Sequence, residues 1–243
     1  MRDKNLIMLD NNDEILSTII NEIKKVHYDL LGSLQHVRVP TILFERAVKK
    51  SADYAEENMQ KAIVFTSNYK KEMFNCAISK LKIDGYLAEF GVFEGESIND
   101  IAGLVYPKAI FGFDSFKGLE EDFSIDFAKG GFNQNGIAPS VEDNVFLVKG
   151  SFSESLPKWL KEHDGVFSFI NIDCDTYNST STVLNLLGPA RIVPGTMILF
   201  DEYFGFPGWE DHEFKAWQEY CNENNVKYRY VALCHMQVLV EVL

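Results

Sequence analysis

Apolar side chains follow two regimes along the chain. Up to about residue 82 they recur at helical spacing. Ile15, Ile19, Ile20, Ile23 and Val26 share one face, and Pro40 breaks the run before a second helix near Ile42–Asn58. This pattern predicts an N-terminal helical cap over residues 1–64. From Gly85 onward the apolar positions contract into short runs at Tyr86–Phe90, Ala109–Phe113, Val145–Val148, Val166–Ile172 and Thr196–Phe200. Each run is apolar nearly throughout, as a strand covered on both faces must be. Helical stretches at Ser97–Leu104, Ser153–His163, Thr180–Leu187 and Glu210–Glu223 separate or follow the runs. The alternation predicts βαβ units and a parallel sheet in a second domain, residues 65–243. Tyr228–Leu233 and Met236–Leu243 are joined by almost nothing, so they predict a hairpin and an antiparallel strand at the sheet's end. Lys117–Asn144, rich in Gly, Asp and Asn with scattered Phe, reads as a long loop or lid.

Composition narrows the partners. The chain has 243 residues, 46% of them apolar, which is enough to bury a core without disulfides or a structural metal. Its 36 acidic residues outnumber 23 Lys and Arg, giving a net charge of −13 that repels phosphate backbones and anionic headgroups. Nucleic acid and membrane surfaces are therefore excluded as expected partners. No apolar run approaches the length of a membrane helix and Met1–Asn5 leads into no signal-peptide core, so the expected location is cytoplasmic. Cys76, Cys174, Cys221 and Cys234 lie far apart with no CxxC pair, which fits reduced thiols better than a disulfide frame or zinc site.

Candidate chemistry gathers at the ends of the predicted strands. The first strand runs into Glu89-Phe90-Gly91-Val92-Phe93-Glu94-Gly95-Glu96-Ser97, where two glycines let a ligand approach bare backbone. A dinucleotide fingerprint would need a third glycine, and the three glutamates would repel a pyrophosphate; they suit a ligand with a cationic end, such as the amine and sulfonium of S-adenosylmethionine. Asp114, at the end of the second strand, stands where doubly wound folds bind the two hydroxyls of a ribose; alone it reads equally as a cap or turn residue. Lys149-Gly150-Ser151-Phe152 could offer backbone and ring contacts to an adenine, or be an ordinary helix cap. The fourth and fifth strands end in Asp173-Cys174-Asp175 and Asp201-Glu202. Four carboxylates converging on one crevice would repel one another, and a hard divalent cation with oxygen ligands, Mg2+, is the simplest remedy. The competing reading makes Asp175 the cap of the helix beginning near Asn178 and Asp201 a turn cap. His212 and Glu213, in an acidic first helical turn, read as solvated surface.

Together the segments EFGVFEGESI, FGFDSFKGLEEDF, KGSFSESLP, FINIDCDTYNSTSTVLNLL and PGTMILFDEYFGFPGWEDHEFKAWQEY resemble the macrocin O-methyltransferase (TylF-like) family of class I S-adenosylmethionine-dependent methyltransferases, from about Phe65 to the C-terminus. The resemblance implies an α/β, Rossmann-like fold with a mostly parallel seven-stranded sheet and an inserted antiparallel strand. It implies that Glu89, Gly91 and Ser97 surround the methionine portion of S-adenosyl-L-methionine. Asp114 with Ser115 would hold the ribose, and Gly150, Ser151 and Phe152 would flank the adenine. Asp173, Asp201 and Glu202 would be Mg2+ ligands, with Asp173 also beside the cofactor, and Asp175 the general base. Many members carry Asp-Asp where this chain has Asp201-Glu202. The implied acceptor is a hydroxylated small molecule, a sugar or glycosylated metabolite. Nitrogen or catechol-like acceptors and a scaffold without turnover are the alternatives. Association through the N-terminal helices into a homo-oligomer is a further expectation, although their apolar stripe equally suits packing on the chain's own sheet.

Overall fold

The computed structural model describes residues 16, 18–27, 38–66, 70–123 and 128–243. Contacts divide the chain into two compact units, residues 1–46 and 47–243. In the first, residues 18–27 form helix α1, with Ile19, Ile20, Ile23 and Val26 exposed; Ile15, grouped with them by spacing, lies outside the described residues. Helix α2 spans Arg38–Asn58. Pro40 is its third residue rather than a break before it. In the first turn a proline's missing N–H has no intrahelical partner to lose, so the helix begins earlier than the sequence pattern predicts.

The second unit is built on one eight-stranded sheet. In chain order its strands are β1 (Ile63–Phe65), β2 (Tyr86–Phe90), β3 (Ile110–Asp114), β4 (Val145–Lys149), β5 (Phe167–Ile172), β6 (Met197–Phe200), β7 (Tyr228–Cys234) and β8 (Gln237–Val242). They lie in the order β1-β7-β8-β6-β5-β2-β3-β4. All pairs are parallel except β6 with β8 and β7 with β8, so the inserted antiparallel strand is β8. The eighth strand, beyond the seven expected, is β1. It occupies part of the stretch predicted to be helical and pairs along β7, with Ile63 opposite Ala232.

The connecting helices are α3 (Lys70–Ser79), α4 (Glu96–Val105), α5 (Phe152–Glu162), α6 (Tyr177–Arg191) and α7 (Glu213–Asn224). Every residue of β5 is buried, and its apolar side chains enter two separate clusters. Phe167, Ile170 and Ile172 pack with Phe90, Phe113, Trp159 and Trp217, whereas Phe169 packs with Leu87, Ile98 and Leu199. A strand flanked by apolar clusters on both faces cannot slip register without forcing a polar neighbour into one of them, so the strand ends are held in place. The four cysteines are buried and form no disulfide among the described residues. Among those residues no helix is long and apolar enough to cross a membrane.

Candidate active site

In this sheet the chain runs outward in opposite directions on the two sides of β2, toward β3 and β4 on one side and β5 and β6 on the other. At such a reversal the loops leaving the carboxyl ends diverge and open a crevice. A cavity of about 720 Å3 lies there, within the size range of small-ligand pockets. Gly91, Ser97, Asp114, Ser115, Gly150, Ser151, Phe152, Asp173, Asp175, Asp201 and Glu202 all line it. Of the residues predicted from sequence, Glu89 alone is not on its wall; it is fully buried in β2 and accepts a hydrogen bond from Asn171 Nδ2 at 2.9 Å.

The turn after β2 is shaped by close backbone approach. Gly91 has φ +93, and a Cβ at that position would stand 1.7 Å from the Asp173 carbonyl oxygen. Only glycine fits. Asp114 organises the same turn, because its Oδ2 accepts from the Val92 and Phe93 N–H groups at 2.8 and 2.9 Å and its Oδ1 from the Phe116 N–H at 2.7 Å. It is thus a turn residue as well as a cavity residue. A carboxylate offers about four acceptor sites, so three backbone bonds leave it able to accept from a ligand hydroxyl. Ser151 precedes α5 as its N-cap residue, but its side chain makes no capping bond. The Ser151 hydroxyl instead meets the Ser153 hydroxyl of the first turn, at 3.3 Å.

Asp173 and Asp175 follow β5. The cap of α6 is Thr176, whose Oγ1 accepts from the Ser179 N–H at 3.3 Å, so Asp175 is not the helix cap that its position allows. Asp175 instead holds a left-handed backbone conformation, φ 62. For a non-glycine residue that costs free energy, and such strain collects at functional sites. Burial, and after it repulsion from Asp201, push its carboxyl up to about 7.

Asp173, Asp201 and Glu202 each present a carboxylate oxygen within 4.8 Å of the others. Burial and then Asp201 raise both Asp173 and Glu202 well above the usual carboxylate range. Gln237 Nε2 of β8 donates to Asp201 Oδ1 at 3.2 Å. Glu202 Oε2 is buried with no hydrogen-bond partner among the described residues. Oxygen-only donors, mutual repulsion and an orphaned buried carboxylate oxygen fit a hard divalent cation.

Two participants escape the sequence reading. Lys70, first residue of α3, reaches Asp173 Oδ2 at 3.2 Å and Asp201 Oδ2 at 2.6 Å. Burial would lower its pKa, but the two aspartates outweigh that and hold it above its ordinary value. Glu213 corrects the expectation of a solvated first turn. It is fully buried, accepts from the Glu202 N–H at 3.0 Å, and is driven well above the usual range by burial and Asp201. The segment after β6 folds back and carries the start of α7 beneath the cluster, a placement no local pattern announces. His212 is half-buried against Phe123, ring centroids 4.9 Å apart; it does not line the cavity.

Residues 67–238 match the model of the family described as macrocin-O-methyltransferase (TylF). No curated protein sequence matches the chain. Among solved structures, that of CalS11, a calicheamicin methyltransferase, is similar over 71% of this chain and 78% of its own, with TM-score 0.57 and 22% identity. The apo structure of CalS11, there called a TDP-rhamnose 3'-O-methyltransferase of calicheamicin biosynthesis, aligns over 71% and 77%, with TM-score 0.51 and 22% identity. The shared architecture is the class I methyltransferase fold.

Proposed function

Because the chain belongs to the macrocin O-methyltransferase (TylF) family, we propose that it moves a methyl group from S-adenosyl-L-methionine to a hydroxyl of a small molecule, a sugar or glycosylated metabolite, with help from Mg2+. The observation that carries this reading is the convergence of the Gly91 turn, Asp114 and the Asp173, Asp201, Glu202 cluster on one cavity. A methyl donor and a cation-held acceptor would meet in the same space.

In this reading the chain's own groups divide the work. Gly91 gives a floor of bare backbone, and Glu89 sets negative charge beneath the cationic end of the donor. Ser97 closes the methionine end, Asp114 and Ser115 receive the ribose hydroxyls, and Gly150, Ser151 and Phe152 border the adenine. Asp173, Asp201 and Glu202 hold the metal. Mg2+ bound there supplies Lewis-acid stabilisation of negative charge developing on the acceptor oxygen. A sugar hydroxyl keeps its proton at neutral pH and is a poor nucleophile until that proton leaves, so Asp175 acts as the general base. The walls contribute by aligning the two reactants, which in well-oriented systems lowers a barrier by up to about 7–11 kcal/mol.

The test is calorimetry with S-adenosylhomocysteine followed by turnover of candidate acceptors read as gain of one methyl mass. Binding of the demethylated cofactor is expected, and its absence at millimolar ligand would sink the reading. Asp201→Asn should abolish metal-dependent turnover and leave cofactor binding nearly intact; full activity in excess chelator would remove the metal from the mechanism.

A further inference from the structure

Lys70 stands in an unfavourable place for a cation. As the first residue of α3 it faces the positive end of the helix dipole, with Lys71 beside it. What compensates is the carboxylate pair, since its ammonium bridges Asp173 Oδ2 and Asp201 Oδ2 at 3.2 and 2.6 Å. Those carboxylates belong to two of the three residues that offer oxygens to a metal. An Mg2+ ion sits about 2.1 Å from its ligand oxygens. Placed on Asp201 Oδ2, it would be at most about 4.7 Å from the Lys70 nitrogen. A divalent ion and an ammonium that close repel strongly even through water. The lysine has a way out, because its side chain is 39% exposed. Its reach is also incomplete, for it leaves Glu202 Oε2 without a partner among the described residues.

We propose that Lys70 is the resident counter-ion of the carboxylate cluster and that a divalent cation enters by displacing it, so that the metal site is an exchange site between an ammonium and a metal. The inference rests on the metal reading above and adds the residue that sets the metal's affinity. With the ammonium in place the cluster is held together and partly neutralised. With it gone, both aspartates turn to the incoming ion.

The experiment is titration of Mn2+ alone into the cofactor-free protein at pH 8, by calorimetry, for the wild type, Lys70→Met and Lys70→Arg. Lys70→Met should bind Mn2+ about tenfold more tightly or better, because a competing charge within 5 Å is gone. Lys70→Arg keeps the charge and should stay near the wild-type affinity. Metal-free Lys70→Met should also melt below the wild type, with saturating Mn2+ closing the gap, since carboxylates left unpaired destabilise the fold. Equal or weaker Mn2+ binding by Lys70→Met would overturn the displacement and leave the metal reading standing. Absence of binding to either protein would remove both. Should Lys70→Met fail to fold, Lys70→Gln, which retains a donor without the charge, carries the same expectation.

Discussion

At the scale of single residues, the conformation of Asp175 argues for its role. Its φ of 62 is a strained value that a helix cap would not need, and capping has passed to Thr176. The strained backbone sets the carboxyl in the cavity wall two residues from Asp173. Asp175→Asn keeps the shape and removes the base, so kcat should fall by about 10²–10⁴ while S-adenosylhomocysteine affinity changes little; single-turnover rates and calorimetry check both halves. A variant with undiminished kcat would assign the proton elsewhere. The acidic residues were legible in the sequence because each follows a recognisable strand, and parallel strand ends must converge. Lys70 was not, being 103 positions from Asp173 at the start of a helix with no pattern to mark it. Glu213 failed differently: a glutamate in a first helical turn carries the same local signature whether the turn faces water or, as here, the underside of a carboxylate cluster.

At the scale of elements, the segment between β3 and β4 behaves as a built structure over its described part. Its two arms are tied by Leu119 N–H to Gly131 O and Gly130 N–H to Leu119 O, each 2.9 Å. Gly118, Leu119, Glu120, Glu121 and Phe132 line the cavity. Glu121 latches this segment to the first turn of α6, accepting from the Asn178 N–H at 3.2 Å and from its side-chain amide. An acid at a helix N-terminus is worth about 0.5–1 kcal/mol. Glu121→Ala should therefore raise the KM for the acceptor by about three- to fivefold, with faster amide exchange over residues 117–123 and little change in melting temperature. Unchanged KM and exchange would show that the segment is no lid. The loop was foreseeable from its length and glycines, and five of the parallel strands from their apolar runs. β1 was not, because three residues are too few to show a period and its place comes from pairing with β7, far away in sequence.

At the scale of the whole molecule, the excess of acid is informative only where the fold concentrates it. The net charge of −13 is spread along the sequence, yet burial turns a few of these carboxylates into groups that titrate near neutrality. Glu89 is the clearest. Burial raises it from 4.5 to about 7, against the hydrogen bonds from Ser97 and Asn171 and the charge of Lys70. A raised carboxyl binds its proton more tightly in the native state than in the unfolded chain. Its contribution to stability is therefore complete below about pH 4.5 and is lost as pH rises through about 7, a change of about 3 kcal/mol. Glu89→Gln cannot titrate. Denaturant unfolding between pH 5 and pH 8 should accordingly show a smaller fall in stability for the variant than for the wild type, by about 2–3 kcal/mol, and equal slopes would place the proton elsewhere. The donor's ammonium favours the ionised carboxylate, so S-adenosylmethionine binding at pH 6 should expel a proton from the wild type. Heats measured in buffers of different ionisation enthalpy should then diverge more for the wild type than for Glu89→Gln, in which the raised carboxyls of the cavity still titrate. The difference ties a buried charge of the fold to the ligand the cavity is proposed to take.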